Sequence, residues 1–346
     1  MKNTTAYLTA PRTLEIRDSA MPAVGPVDLM IRVKHVGVCG SDLAYYEDVT
    51  KHGTRHAEYP VVLGHECAGE VVDVGARVTG FAPGDRVAVE PGVPCMKCDY
   101  CVSGRYNLCD RMNFMATAPW ERAALSEYIA HPAMMCFKLP ANVSTMEGAL
   151  VEPLAVGMHA ATRAGAGPGA TALIIGSGCI GLCTLLALRA RGVSTIYSAD
   201  LYELRLTKAK AFGAAQTINA SREDTAETVA RLTGGRGVDI VFEAAGDVDA
   251  AIAAQKCVKK GGKLVIIGNI HENVPVGFMN LASHEVDIIG IFRYRNLYPT
   301  LVEALAGGII DIRPICTDLY PFREIQRGFD DAYERKMEVV KAVIEI

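Results

Sequence analysis

From Val27 to about Val89, apolar and polar positions alternate in short runs, "DLMIRVKHVGV", "GEVVDVGARV" and "DRVAVE", broken by Gly and Pro. A period of two puts successive side chains on opposite faces of a strand, so this part predicts an all-β region. Between roughly 171 and 290 the pattern changes. Apolar runs of strand length, "TALIIG", "STIYSAD", "VDIVFEAAG" and "KLVIIGN", alternate with helix-length segments such as "CIGLCTLLALRARG", "YELRLTKAKAFG" and "DVDAAIAAQKCVKKGG". Repeated βα units of this kind demand a parallel sheet with helices on both faces. Gly192 and Gly213 fall just past two helix patterns, where a left-handed cap is wanted. After about 290 come one more helix pattern and a strand-like "VVKAVIEI" that is expected to return to the β-rich part. The fold class read from these patterns is α/β, a β-rich domain beside a doubly wound parallel sheet, and no internal repeat is seen.

With 346 residues, half of them hydrophobic, the chain has room for two domains and their cores. The net charge of -4 and the lack of any Lys/Arg-rich run argue against nucleic acid and against an anionic membrane surface. The longest apolar stretch, Cys179 to Leu188, stops at Arg189, well short of a bilayer span, and "MKNTTAYLTAPRTLEIRD" has no apolar signal core. A soluble cytoplasmic protein is expected. In that reducing setting the eleven cysteines point to metal or catalysis rather than to disulfides.

"IIGSGCIG" places Gly176, Gly178 and Gly181 as G-x-G-x-x-G, with Cys179 and Ile180 between them, after a strand pattern and before a helix pattern. The first glycine permits the tight turn, the second lets backbone approach a pyrophosphate, and the third allows close packing at a helix N-terminus that attracts anions. Asp200 ends the next strand, nineteen residues after Gly181. Its carboxylate suits the ribose hydroxyls of NAD, whereas a 2′-phosphate would meet like charge, on the order of several kcal/mol at an effective dielectric of ~20. Arg205 is close enough in sequence to offset part of this, leaving a minor NADP activity open. Gly246 and Gly268, at the ends of the next two strand patterns, and Arg293 are further cofactor-contact candidates. The competing reading is a Rossmann-like unit that binds another nucleotide or nothing.

Cys95, Cys98, Cys101 and Cys109 have the spacing C-x2-C-x2-C-x7-C, which can wrap four thiolates around one tetrahedral Zn²⁺. Four sulfurs leave no position for water or substrate, so the physical expectation is a structural clip over about 94–110 rather than a reacting metal. Lys97, Arg105 and Arg111 lie nearby to moderate its negative charge. An iron-sulfur cluster would accept the same four ligands. Three other pieces have the make-up of an open metal site: "GVCGSD" with Cys39, "GHECAGE" with His65 and Glu66, and "VEPLAVG" with Glu152. Residue 69 is Gly, so the second is not H-E-x-x-H. Singly, each has a bland alternative: a buried thiol, a satisfied core histidine, surface or cap carboxylates.

The order "GVCGSD", "GHE", the four-cysteine run, "EPLAVG", "GSGCIG" and "FRYRNLYP" resembles the zinc-dependent medium-chain dehydrogenases, in their sorbitol and polyol dehydrogenase branch, over essentially the whole chain. The resemblance implies a GroES-like catalytic domain over 1–153 and 291–346, a Rossmann NAD-binding domain over 154–290, and catalysis in the cleft between them. It implies a catalytic zinc, and with the four-cysteine cluster two zinc ions per subunit are expected. Cys39, His65 and one glutamate hold the catalytic ion with a water, either Glu66 or Glu152 being the direct ligand. Arg293 and Tyr294 of "GIFRYRNLYP" match residues that line the polyol cleft, and a guanidinium fork suits vicinal hydroxyls. Ser41 would accept the hydroxyl proton. Relatives often carry a histidine five residues after the zinc-binding cysteine; Ala44 stands here, so Tyr45, water or the cofactor ribose must complete the relay. Thr117 in "ATAPWERAALSEY" matches a substrate position, whereas Trp120 and an apparent extra residue reshape one wall. The implied substrate is a polyol such as sorbitol or xylitol, and the implied assembly is a homotetramer. Butanediol, threonine and sugar-alcohol-phosphate dehydrogenases share the scaffold, and a non-catalytic zinc- and nucleotide-binding protein is the reading from another class.

Overall fold

The computed structural model describes residues 2–52, 58–120 and 122–346. It divides into two compact units, Met1–Glu152 with Tyr298–Ile346, and Pro153–Leu297. The second unit runs to Leu297, and Ile291 N bonds Ile266 O at 3.0 Å just past its last strand.

In the second unit six parallel strands lie in the order Gln216–Asn219, Thr195–Asp200, Thr171–Ile175, Val238–Glu243, Val258–Ile266, Asp287–Gly290. The two central strands are nearly wholly buried, as a sheet covered on both faces requires. The strand order reverses between Thr171–Ile175 and Val238–Glu243, and the carboxyl ends at such a switch point form the ligand crevice of doubly wound sheets. The expected helix caps are present. Gly192 (φ 85°) follows helix Cys179–Ala190, with Val193 N bonding Leu188 O at 3.0 Å, and Gly213 (φ 99°) follows helix Glu203–Ala211. Helix Thr145–Arg163 packs so closely on Cys179–Ala190 that a Cβ on Gly157 would stand 2.6 Å from the backbone at Cys183.

The first unit is a seven-stranded sheet in which Asp28–Gly37 pairs antiparallel with Glu66–Val74, with Tyr128–Pro132 and with the C-terminal strand Ala342–Glu345. A three-stranded sheet of Thr13–Ser19, Asn3–Ala10 and Val61–Val62 accompanies it. Leu29, Ile31, Tyr46, Leu63 and Phe329 are among the core residues. The region expected to be all β is interrupted by helix Gly40–His52, with extended backbone at Asp48 (φ -166°, ψ 103°) inside it. Asp42 starts this helix by accepting from Cys39 N at 3.0 Å, a side-chain cap that strand periodicity does not report. The register then sets the site: Gly37 pairs with Glu66 on one side and with Val343 on the other. Among the described residues no helix is long and apolar enough to cross a membrane.

Candidate active site

Cys39 follows strand Asp28–Gly37, His65 immediately precedes strand Glu66–Val74 and Glu66 opens it, so antiparallel pairing carries all three to one place. One ligand atom from each lies within 4.8 Å of the others. Asp42, fully buried, braces them: Oδ2 accepts from Cys39 N, Oδ1 accepts from Gly64 N at 3.0 Å, and the same Oδ1 faces His65 Nδ1 at 3.6 Å. A carboxylate behind a histidine fixes the ring for ligation by its other nitrogen. Burial opposes charge on His65, yet the carboxylate of Asp42 and the sulfur of Cys39 hold its pKa well above the usual histidine range. Thiolate, imidazole and carboxylate are the donor types of an open zinc site, and they fit a cation. The carboxylate of Glu66 is also gripped by Lys341 Nζ, at 2.7 Å to Oε1 and 2.8 Å to Oε2, and this lysine donates to Val38 O at 2.8 Å. Gly37 makes room for that pair: its Cβ would stand 2.1 Å from Glu66 Oε2.

Cys95, Cys98, Cys101 and Cys109 form the second group within 4.8 Å. Cys98 caps a one-turn helix, Asp99–Val102, and Cys109 ends the turn Tyr106–Leu108, so short local structure turns four sulfurs inward. Backbone N–H groups of Cys95 and Arg111 point at Cys109 Sγ at 3.2 and 3.4 Å. Hydrogen bonds from backbone N–H groups, that of Lys97 first, pull the Cys95 thiol down to about 6. Of the three cations expected nearby, Arg111 reaches Cys95 Sγ at 3.8 Å, whereas Arg105 lies over the Tyr100 ring.

In the second unit Gly176 takes φ 95°, and a Cβ on Gly181 would fall 1.8 Å from Gly176 O, so both glycines are required by the turn itself. The Cβ position of Gly178 is open, with only Arg205 Nη1 at 3.8 Å, leaving room for a phosphate against the N-terminus of the helix that Cys179 and Ile180 begin. Asp200 accepts from Ser177 N at 2.7 Å and Tyr202 N at 2.9 Å, tying the glycine turn to the end of the second strand. Arg205 Nη1 lies 3.7 Å from the same carboxylate and its guanidinium stacks on Tyr202. Gly246 and Gly268 meet at the carboxyl ends of the next strands, where a Cβ on Gly268 would stand 2.3 Å from Gly246 N.

Residues 25–141 match the alcohol dehydrogenase GroES-like domain and residues 179–307 match the zinc-binding dehydrogenase model. A sorbitol dehydrogenase of Bacillus subtilis is 42% identical over 340 residues, covering 98% of this chain and 96% of that one. The chain belongs to the zinc-dependent medium-chain polyol dehydrogenases. An L-idonate 5-dehydrogenase of Vitis vinifera is 41% identical over 337 residues, with 96% and 91% of the two chains covered. Among solved structures, an Escherichia coli oxidoreductase of unknown specificity matches this dehydrogenase with a TM-score of 0.96 at 42% identity, covering 100% and 99% of the chains. The GroES-like unit and the parallel coenzyme-type sheet are thus those of the family.

Other residues singled out in this dehydrogenase are placed as follows. Glu152 is buried in helix Thr145–Arg163 just before Pro153 and is not one of the atoms grouped with Cys39, His65 and Glu66. Ser41 and Tyr45 lie on helix Gly40–His52, and Tyr45 meets Trp120 edge-on with ring centroids 5.1 Å apart. Thr117 donates to Phe114 O at 2.9 Å, and Phe114 packs on the His65 ring. Glu121, in the same stretch, lies outside the described residues. Arg293 (φ 52°) sits over Phe292, and Tyr294 is buried, both in the second unit. Sequence reading missed Asp42, Lys341 and Glu90. All three stood in quoted stretches, Asp42 in "GVCGSD", Glu90 in "DRVAVE" and Lys341 in "VVKAVIEI", but strand periodicity does not report their partners.

Glu90 follows strand Arg86–Val89 and is buried, accepting from Tyr106 Oη at 2.8 Å. Burial, with the nearby Glu152 charge, pushes its pKa up to about 7. Between the ordinary carboxyl range and about 7 the folded dehydrogenase therefore holds a proton that the unfolded chain releases, so stability falls as pH rises through that window. Glu90→Gln, which keeps an acceptor for Tyr106, is expected to flatten the fall in melting temperature from pH 5 to pH 8. Parallel melting curves for the two proteins would refute the assignment.

Proposed function

We propose that the chain catalyses the NAD-linked oxidation of a secondary hydroxyl of a polyol, sorbitol, xylitol or a relative, to the ketose. The convergence of Cys39, His65 and Glu66 within 4.8 Å is the observation that carries this reading, together with relatives named for sorbitol and L-idonate. Cys39, His65 and Glu66 are the zinc ligands in this account, and Glu152, outside the group, acts through water. The zinc, when bound, favours the ionised form of a hydroxyl, by about 12 kcal/mol if the pKa falls from about 15.7 to ~7 as it does for water. Asp42 keeps Cys39 and His65 in place through the contacts described. Lys341 balances the charge of Glu66. Ser41 takes the hydroxyl proton and Tyr45 passes it on, Ala44 being unable to. Arg293, Tyr294 and Thr117 receive the remaining hydroxyls of the substrate. The four cysteines hold a second, structural zinc.

For the coenzyme, the buried Asp200 charge supports NAD, its ribose hydroxyls donating to a carboxylate already fixed by two backbone N–H groups. Asp200→Asn removes the charge and keeps one acceptor. It is expected to shift the ratio of kcat/KM for NAD over NADP at least about tenfold towards NADP. An unchanged ratio would show that Arg205, not Asp200, sets the preference. We also propose a reducing, cytoplasmic location, the setting in which clustered cysteines serve as metal ligands. The edge strand Asp287–Gly290 with exposed Phe278, Met279 and Ile288 supports self-association, and we read the assembly as a tetramer.

The reading is tested by coenzyme reduction across polyols of four to six carbons, free and phosphorylated, with an aldonate included. Preference for a phosphorylated polyol would assign Arg293 to a phosphate and make the protein a sugar-alcohol-phosphate dehydrogenase. No reduction with any alcohol, together with tight NADH binding, would favour a non-catalytic protein.

A further inference from the structure

At the amino ends of strands Val238–Glu243 and Val258–Ile266 the second unit has a pocket of about 480 Å3. Its wall carries Arg236, Lys256, Lys259, Lys260 and His284 and no carboxylate side chain. No residue assigned above to zinc, substrate or coenzyme lines it. The coenzyme turn lies at the carboxyl ends of the same sheet, roughly 17 Å away along strand Val238–Glu243 at ~3.3 Å per residue. Backbone irregularity sets this end of the sheet apart. Between the paired positions Val238 with Val258 and Ile240 with Lys263, Asp239 stands alone against four residues, Lys259 to Gly262. The excess is a bulge that lifts Lys259 and Lys260 out of the ladder, and Gly261 N anchors it by donating to His284 O at 2.8 Å. Arg236 reaches the same pocket from the glycine-rich turn that follows helix Thr225–Thr233, whose left-handed cap is Gly234.

Lys259 is paired with Asp239. Arg236 makes one hydrogen bond, from Nε to Thr233 O at 3.2 Å, and neither it nor Lys256 nor Lys260 has a carboxylate partner among the described residues. Arg231, on the preceding helix, does have one in Glu223 at 3.6 Å. Like charges gathered on one pocket repel, in a chain whose net charge is -4, and an anion seated among them relieves the repulsion. A guanidinium with ammonium groups is a recognition set for phosphate. Three unpaired cations call for more than one phosphate, and the pocket has the size of a small-molecule site rather than of a single ion. No Phe, Tyr or Trp lines it, so a nucleobase has no ring to stack on, whereas Asn280 offers an amide to hydroxyls. We propose that this pocket binds a sugar carrying two phosphate groups, the phosphates received by Arg236, Lys256 and Lys260 and a hydroxyl by Asn280.

The zinc-loaded protein, with NADH present to occupy the coenzyme turn, is titrated calorimetrically with fructose 1,6-bisphosphate and, separately, with sodium sulfate, at an ionic strength of about 0.15 M. One saturable site per chain is expected for the bisphosphate, and none for sulfate. Lys256→Gln combined with Lys260→Gln is expected to weaken binding at least about tenfold, and Lys256→Arg combined with Lys260→Arg, which keeps both charges, by less than about threefold. All these side chains are exposed, so the variants should fold, and their NADH affinity should stay within about twofold of the parent. The absence of a saturable signal in the parent would overturn the proposal. So would affinity unaltered in the double Gln variant, which would place the bisphosphate at the coenzyme turn or the polyol site. Sulfate saturating at the same concentration would overturn it too, reducing the pocket to a general attraction for anions. If the double Gln variant does not fold, affinity unchanged in Arg236→Gln overturns it equally.

Discussion

Replacing Cys39 by alanine is expected to lower kcat for polyol oxidation by on the order of 10⁴-fold or more, and to halve the zinc content from two ions per subunit to one. The physical reason is that the remaining protein donors of that group, His65 and Glu66, do not close a zinc shell, and Glu66 is already engaged by Lys341. The fold should survive. Cys39 is half-exposed, and Asp42, which begins the helix, bonds its backbone N–H rather than its sulfur. The melting temperature of the metal-free variant should therefore lie within a few degrees of the metal-free parent. Metal analysis and steady-state rates on one preparation read both effects. Polyol oxidation retained in Cys39→Ala would sink the assignment of the reacting centre.

Lys341→Met carries the second large effect, on stability. Lys341 and Glu66 are 3% and 0% exposed in their side chains, so the pair has no water to fall back on. In the zinc-free protein, removing the lysine strands a buried carboxylate and frees Val38 O, a loss of about 3–5 kcal/mol for breaking a buried pair. For a unit of this size that corresponds to a fall in melting temperature of roughly 6–20 °C. Lys341→Met combined with Glu66→Gln removes both charges and should recover much of the loss, because the cost lies in the unpaired charge rather than in the missing contact. A double variant no more stable than Lys341→Met would mean that packing, not charge, explains the effect.

The features legible in the chain were those written locally. Period-two and βα patterns predicted both units, because side-chain periodicity follows directly from backbone geometry. The glycine turn was legible because Gly176 needs a positive φ and Gly181 cannot carry a Cβ. The four-cysteine cluster was legible because its ligands are close in sequence. Cys39, His65 and Glu66 were not assembled by spacing; resemblance to a family suggested them, and antiparallel register brings them together. Lys341 lies 275 residues from Glu66 and reaches it only because the C-terminal strand joins Gly37, a partnership no window of sequence contains. Helix Gly40–His52 was missed for a related reason: its capping carboxylate, Asp42, lies just inside a stretch read by strand alternation.

The most direct test of the account is polyol-dependent formation of NADH by the purified protein, with zinc measured on the same sample. The account predicts oxidation of at least one polyol of four to six carbons with NAD preferred over NADP, by protein that carries two zinc ions per subunit. Protein with both zinc ions bound that reduces neither coenzyme with any of these alcohols would contradict it.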